Sequence, residues 1–164
     1  MELKKLLSYL KDNRLVVATA ESCTAGLIAG RLADATGVGS SLEVGYVVYS
    51  PQAKCRLLGV SPQTIDRFGL TSEEAAREMA LGALERSEAS VAIADTGVAD
   101  EPPEGSDVPA GTICFAWAVR GEDGTQLFSE TRHFDGSRNA VRRSAADYAL
   151  ERIPHYHGSA RPRG

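Results

Sequence analysis

Three short apolar runs each close on a cluster of polar residues, and that arrangement limits the folds open to this chain. Arg14–Ala20 leads into Glu21-Ser22-Cys23-Thr24-Ala25-Gly26, Val44–Tyr49 into Ser50-Pro51, and Ser90–Ala94 into Asp95-Thr96-Gly97. Apolar runs this short read as buried strands. After the first, Leu27, Ile28, Leu32 and Ala35 recur at helical spacing; after the second, Gln52–Leu58 reads as a short helix. Strands that feed helices point to an α/β sheet, where ligands bind at the carboxyl ends of the strands. The polar clusters are therefore the first place to look for chemistry.

The remaining pattern completes a layered domain. Leu3, Leu6, Leu7 and Leu10 open the chain with a helix that Asn13 ends. Ser61-Pro62 is a cap and first turn, with Gly69 as the stop. Thr71 and Glu74 form a capping-box pattern ahead of a helix whose inward face holds Ala75, Met79, Ala80, Ala83 and Leu84. The proline- and carboxylate-bearing stretch from Ala99 to Ala110 reads as a loop. Ile113–Val119 and Leu127–His133 form a hairpin through Gly121-Glu122-Asp123-Gly124. Ser137 opens a last helix, with Val141, Ala145 and Tyr148 inward and Pro154 at its end. The expectation is a three-layer α/β/α sandwich with a mixed sheet over residues 1–154, followed by a flexible polar tail over 155–164. His155 and His157 fall in that tail, where a frayed surface segment is the simpler reading than a metal site.

Composition narrows the function. A chain of 164 residues suits one domain, and 43% apolar with 24% charged residues is globular. A net charge of -4 disfavours a dominant basic groove, so no nucleic-acid partner is expected. Cys23, Cys55 and Cys114 are scattered, with no CxxC pair for zinc or redox chemistry. No window reaches the roughly 18 apolar residues of a membrane span. A reduced, cytoplasmic protein without a membrane partner is the expectation. Neither GxGxxG nor GxxxxGK[ST] is present, so a dinucleotide or P-loop site is not expected.

Ser22 stands where a nucleophile at a helix start would stand, and also where a cap would; Thr24 shares the ambiguity. Glu21 is either a ligand acceptor or a brace for the turn. Lys54 follows Tyr49 and Ser50; the default is a solvated lysine, the alternative a desolvated base near a serine. Thr96-Gly97 and Gly111-Thr112 can hold a phosphate or a carboxamide oxygen. Arg138 and Arg142, four apart, form either a phosphate clamp or a solvated helix face. Cys23 has no histidine near in sequence, and Asp95 lacks a supporting cluster of metal ligands. A cofactor-free, metal-free hydrolase fits these features best.

These clusters together resemble the CinA C-terminal domain family. The resemblance runs through Thr19–Gly26, Gly45–Ser50, Ala53-Lys54, Leu57–Val60, Thr96–Ala99, Gly111-Thr112 and Phe134 to Arg142. It implies an α/β/α domain, a homo-oligomer, and hydrolysis of nicotinamide mononucleotide to nicotinic acid mononucleotide and ammonia in pyridine nucleotide salvage. It implies Ser22 as nucleophile and Lys54 as its base; an oxyanion then needs oriented donors, for which the backbone amides around Cys23 and Thr24 are the candidates. Tyr49, Thr96 and Arg142 are then ligand-site residues, with Arg138 as a further phosphate candidate; Glu21, Thr24 and Gly97 of the strand-end clusters complete the expected substrate-binding set, with no cofactor and a small pyridine nucleotide as partner. The family commonly has glycine at the place of Ala25. Its neutral glycine-rich loop is replaced here by Asp100-Glu101-Pro102-Pro103-Glu104-Gly105. Carboxylates facing the site would oppose a phosphate. An amidase for a related substrate and a noncatalytic nucleotide-binding or interaction protein are the alternatives.

Overall fold

The computed structural model describes residues 2–160 and holds five strands in one sheet. They are β1 (Val17–Glu21), β2 (Leu42–Val47), β3 (Val91–Gly97), β4 (Thr112–Gly121) and β5 (Gly124–His133), in the spatial order β2-β1-β3-β4-β5. β1 runs parallel to both β2 and β3; β4 runs antiparallel to β3 and to β5. The helices are α1 (Leu3–Asp12), α2 (Leu27–Ala33), α3 (Pro51–Leu58), α4 (Pro62–Phe68), α5 (Glu73–Glu85), α6 (Arg138–Glu151) and α7 (Ile153–Ala160).

Strand alternation sorts residues by size onto two faces. Val91, Ile93, Ile113, Phe115, Trp117 and Val119 point to one side and pack with Ile28, Leu32, Val141, Ala149 and Leu150 from α2 and α6. Ala92, Ala94, Cys114, Ala116 and Ala118 point to the other and meet Ala76, Met79, Ala80 and Ala83 of α5. Small residues on both sides of that second interface allow a close approach. The same tightness recurs where α5 meets α3: a Cβ added at Gly82 would lie 2.0 Å from the Leu58 carbonyl oxygen. The result is the expected α/β/α sandwich with a mixed sheet, closed by a hairpin in which Gly121 pairs with Gly124.

Three local expectations change. The cap of α5 is Ser72, whose hydroxyl accepts from the Ala75 amide, so the Thr71–Glu74 box is displaced by one residue. β3 continues through Gly97, which places Asp95 and Thr96 inside the sheet rather than beyond it. Residues 155–160 are not a flexible tail. Pro154 lies in the first turn of α7, and Tyr156 stacks on Trp117 and Phe128 with centroids 4.4 and 5.0 Å apart. Aromatic burial outweighs the polar composition there. His157 meets the Tyr9 hydroxyl at 2.8 Å through Nδ1, which ties α7 to α1. Residues 161–164 of the expected tail lie outside the described residues.

Candidate active site

Parallel pairing brings the first two polar clusters together. Glu21 stands opposite Val47, and the Val48 amide donates to the Glu21 carbonyl at 2.9 Å. The chain then turns at Ser50, which caps α3 by accepting from the Ala53 amide, with Pro51 in the first helical turn. From there Lys54 runs back to the strand ends. Its Nζ lies 2.8 Å from the Val48 carbonyl, 3.0 Å from the Tyr49 carbonyl and 2.9 Å from Ser22 Oγ.

Lys54 is 1% exposed, so the solvated reading of this lysine does not hold. Burial pushes its amine below the ordinary lysine range, while the nearby Asp95 carboxyl works the other way. Ser22 is 8% exposed and lines a cleft with Tyr49, Thr96, Gly97, Asp100 and Arg138. Its hydroxyl meets the amine rather than capping α2.

Cys23 lines the same cleft, but burial, with Asp95 adding to it, pushes its thiol up to about 12. It stays protonated and a poor nucleophile. The charges acting on it belong to Asp95, Arg138, Arg142 and Asp100, none of them a histidine.

Glu21 and Thr24 lie behind the cleft, not on its wall. Glu21 is fully buried and accepts from the Thr19 and Thr24 hydroxyls and the Gly26, Ile28 and Ala29 amides. It therefore caps α2 from the strand and braces the turn, the second of its two readings. Thr24 is also fully enclosed and meets both Glu21 and Asp95. Arg142 is likewise a brace: its Nε donates to the Cys23 carbonyl at 3.0 Å and its Nη2 to the Thr24 carbonyl at 3.1 Å.

Arg138 does reach the cleft, where its Nη2 donates to the Tyr49 hydroxyl at 3.1 Å. Its Nη1 pairs with Asp100 at 2.6 Å. The replaced loop thus turns one carboxylate onto the arginine best placed for an anion, and Glu101 and Pro103 line the cleft beside it. Thr96 lies on the cleft wall and donates its hydroxyl to the Leu70 carbonyl at 2.9 Å.

The backbone amides of the turn are mostly committed. Ser22 donates to the Asp95 carbonyl and to its Oδ1, Thr24 to Asp95 Oδ2, and Ala25 to the Ser22 carbonyl. The Thr24 amide is therefore not free for an oxyanion, whereas the Cys23 amide has no acceptor among the described residues. Asp95, which the sequence offers only as a metal ligand without partners, instead ties the Ser22 turn to β3 by accepting from the Ser22 and Thr24 amides. The sequence signal for it is its place at a strand end beside Thr96-Gly97.

The family model for the CinA C-terminal domain matches residues 2–157. The chain belongs to that family. A CinA relative from Enterobacter agglomerans, named nicotinamide-nucleotide amidohydrolase PncC, is 42% identical over 142 residues, covering 87% of this chain and 85% of that protein. Protein YdeJ of Escherichia coli K12 is 39% identical over 150 residues, covering 90% and 84%. The CinA-like protein of Chlorobaculum tepidum is 42% identical over 144 residues, and there the chain spans about a third of the relative's length, 34%. Among solved structures, the competence or damage-inducible protein of Enterobacter asburiae superposes with a TM-score of 0.88 at 35% identity, over 94% of this chain and 95% of that one. No helix among the described residues is long and apolar enough to cross a membrane.

Proposed function

We propose that this chain is an amidohydrolase that cleaves the carboxamide of nicotinamide mononucleotide, with Ser22 as nucleophile and Lys54 as its base. The observation that carries the reading is the threefold contact of the Lys54 amine. A neutral amine has two hydrogens and one lone pair. As an ammonium Lys54 donates to the Val48 and Tyr49 carbonyls and to Ser22 Oγ; once neutral, it keeps two hydrogens for the carbonyls and its lone pair faces the Ser22 hydroxyl. The name of the amidohydrolase relative supports the reaction class and the substrate.

In this reading Lys54 takes the Ser22 proton as Oγ attacks the carboxamide carbon. The Cys23 amide is the donor left for the oxyanion. The Lys54 ammonium returns its proton to the departing nitrogen, and ammonia leaves an acyl-Ser22. Water then attacks the acyl carbon, Lys54 accepts its proton, and the acid departs as Ser22 regains a hydrogen. Thr96, Gly97 and Tyr49 shape the cleft around the ring, and Arg138 is the charged contact for the phosphate.

One observation favours a second reading. Asp100 already occupies Arg138, which suits an amide of the same ring lacking the phosphate. Incubating the purified protein with nicotinamide mononucleotide, and separately with nicotinamide riboside, tests both. Equal yields of ammonia and nicotinic acid mononucleotide support the first. Turnover of the riboside alone supports the second. Binding of either without ammonia release contradicts both and favours a noncatalytic binding protein.

A further inference from the structure

Beneath the Ser22 turn, two carboxyl groups share one hydroxyl. Thr24 Oγ1 lies 2.7 Å from Glu21 Oε1 and 2.5 Å from Asp95 Oδ1. A threonine hydroxyl has one hydrogen to donate. It serves one carboxyl, and the other contact sets two bare oxygens together unless that carboxyl brings a hydrogen of its own.

The donors around each carboxyl decide where that hydrogen sits. Glu21 has five: the Thr19 and Thr24 hydroxyls and three amides at the start of α2. A carboxylate at a helix N-terminus with that many donors is well satisfied as an anion. Asp95 has, besides the shared hydroxyl, the Ser22 amide at 3.3 Å and the Thr24 amide at 3.1 Å. It is fully buried, and the parallel register sets it directly beside Glu21. Two adjacent enclosed carboxyls do not both ionise readily.

We propose that Asp95 is a positioning residue of the hydrolytic site and works in its neutral form, donating its hydrogen to Thr24 while Thr24 donates on to Glu21. The relay fixes the Ser22 turn without placing a second negative charge under the Lys54 amine. That matters because a charged Asp95 favours the ammonium form of Lys54, which has no lone pair for Ser22. The hydrogen bonds from the Thr24 hydroxyl and from the Thr24 and Ser22 amides favour the charged form of Asp95, and burial together with Glu21 outweighs them. Glu21 on β1 repels charge on Asp95, and burial is the larger force in the same direction. Phe115, its partner on β4, offers no charge. From the turn, the Cys23 thiol is held protonated. Arg142 of α6 gives its Nε and Nη2 to the Cys23 and Thr24 carbonyls rather than to Asp95. The role in catalysis rests on the amidohydrolase reading; the position of the hydrogen does not.

Two measurements keep those apart. In the native protein carrying carboxyl-13C aspartate, one aspartate keeps the chemical shift of a neutral acid at about pH 5.5, where exposed aspartates are ionised. Asp95→Asn removes that signal. A spectrum in which every aspartate is ionised at that pH overturns the proposal, whether or not the protein turns over an amide. The second measurement is the pH profile of ammonia release from nicotinamide mononucleotide by Asp95→Asn, whose amide NH2 copies the donor to Thr24. Turnover within about threefold of native is expected below about pH 7, where the native charge beneath Lys54 is already zero. Turnover by Asp95→Asn that exceeds native by about tenfold or more below about pH 7 means that native Asp95 is charged there, and overturns the proposal. A folded Asp95→Asn protein without turnover at any pH overturns it as well. If the native protein releases no ammonia, the amidohydrolase reading fails, and the carboxyl spectrum alone decides the hydrogen.

Discussion

The Lys54 amine meets the Ser22 hydroxyl at 2.9 Å, although the two residues stand 32 positions apart in the chain. The parallel pairing of β1 with β2 creates that contact, because it sets the ends of both strands side by side. The two carbonyls that hold the amine belong to the chain leaving β2, so the serine, the lysine and its two carbonyl partners meet at the carboxyl ends of β1 and β2.

In the proposed reading Lys54→Arg replaces a neutral base by a fixed positive charge. Arginine stays protonated and cannot offer a lone pair to Ser22. Turnover is expected to fall by about 100-fold or more, the range of a lost general base. In the native protein the ascending limb of the pH–rate profile should lie below the ordinary lysine range, because burial favours the neutral amine. Steady-state ammonia release across pH checks both. Native-like turnover by Lys54→Arg would remove Lys54 from the chemistry.

Asp100→Asn releases Arg138 from its ion pair. The variant should bind nicotinamide mononucleotide more tightly by about threefold or more at low salt, with a smaller gain at high salt. Nicotinamide riboside, which lacks the phosphate, should show no such gain. Isothermal titration of both ligands at two ionic strengths measures the difference, and equal effects on the two would refute the electrostatic account.

Asp95 also links stability to pH. Burial raises its carboxyl from 3.8 to about 7 in the folded protein, with Glu21 adding to the effect. A raised folded value gives stability that is fully present below the unfolded value and is lost as pH rises through the folded one. The stability of the native protein relative to Asp95→Asn should therefore fall between pH 3.8 and about 7 and flatten above. The limiting slope is about 1.4 kcal/mol per pH unit for one proton. Urea unfolding of both proteins at a series of pH values reads it, and a difference that does not change with pH contradicts the shift.

Ala25 adopts a φ of +48, in the left-handed region that favours glycine. Ala25→Gly should stabilise the protein by about 1 kcal/mol, because the strain relieved exceeds the backbone freedom regained on unfolding. Thermal unfolding is the check. An unchanged or lowered Tm would show that the methyl group offsets its strain.

The sandwich was legible because strand and helix periodicities are strong and the hairpin glycines are unambiguous. Ser22 was legible as a strand-end residue, though its cap and nucleophile roles differ only in what lies across the sheet. Lys54 was not legible from its surroundings. A lysine beside Ala53 and Leu57 looks solvated until β2 and α3 fold it inward. Thr71 and Ser72 are adjacent hydroxyls with equal capping chemistry, and only the backbone decides between them. The Tyr156 stack on Trp117 joins residues far apart in sequence, so composition alone made residues 155–160 look loose. Asp95 and Glu21 are seen to share Thr24 only once β1 and β3 are in register.

The central claim is that Ser22 attacks an amide carbon, and ammonia release by native protein and by Ser22→Ala tests it most directly. The Ser22 hydroxyl contacts Lys54 and does not cap α2, so its loss should leave the fold intact. With nicotinamide mononucleotide as substrate, the native protein should release ammonia and the acid in equal amounts. A folded Ser22→Ala protein should release neither above background. Ammonia release by Ser22→Ala at the native rate would contradict the account.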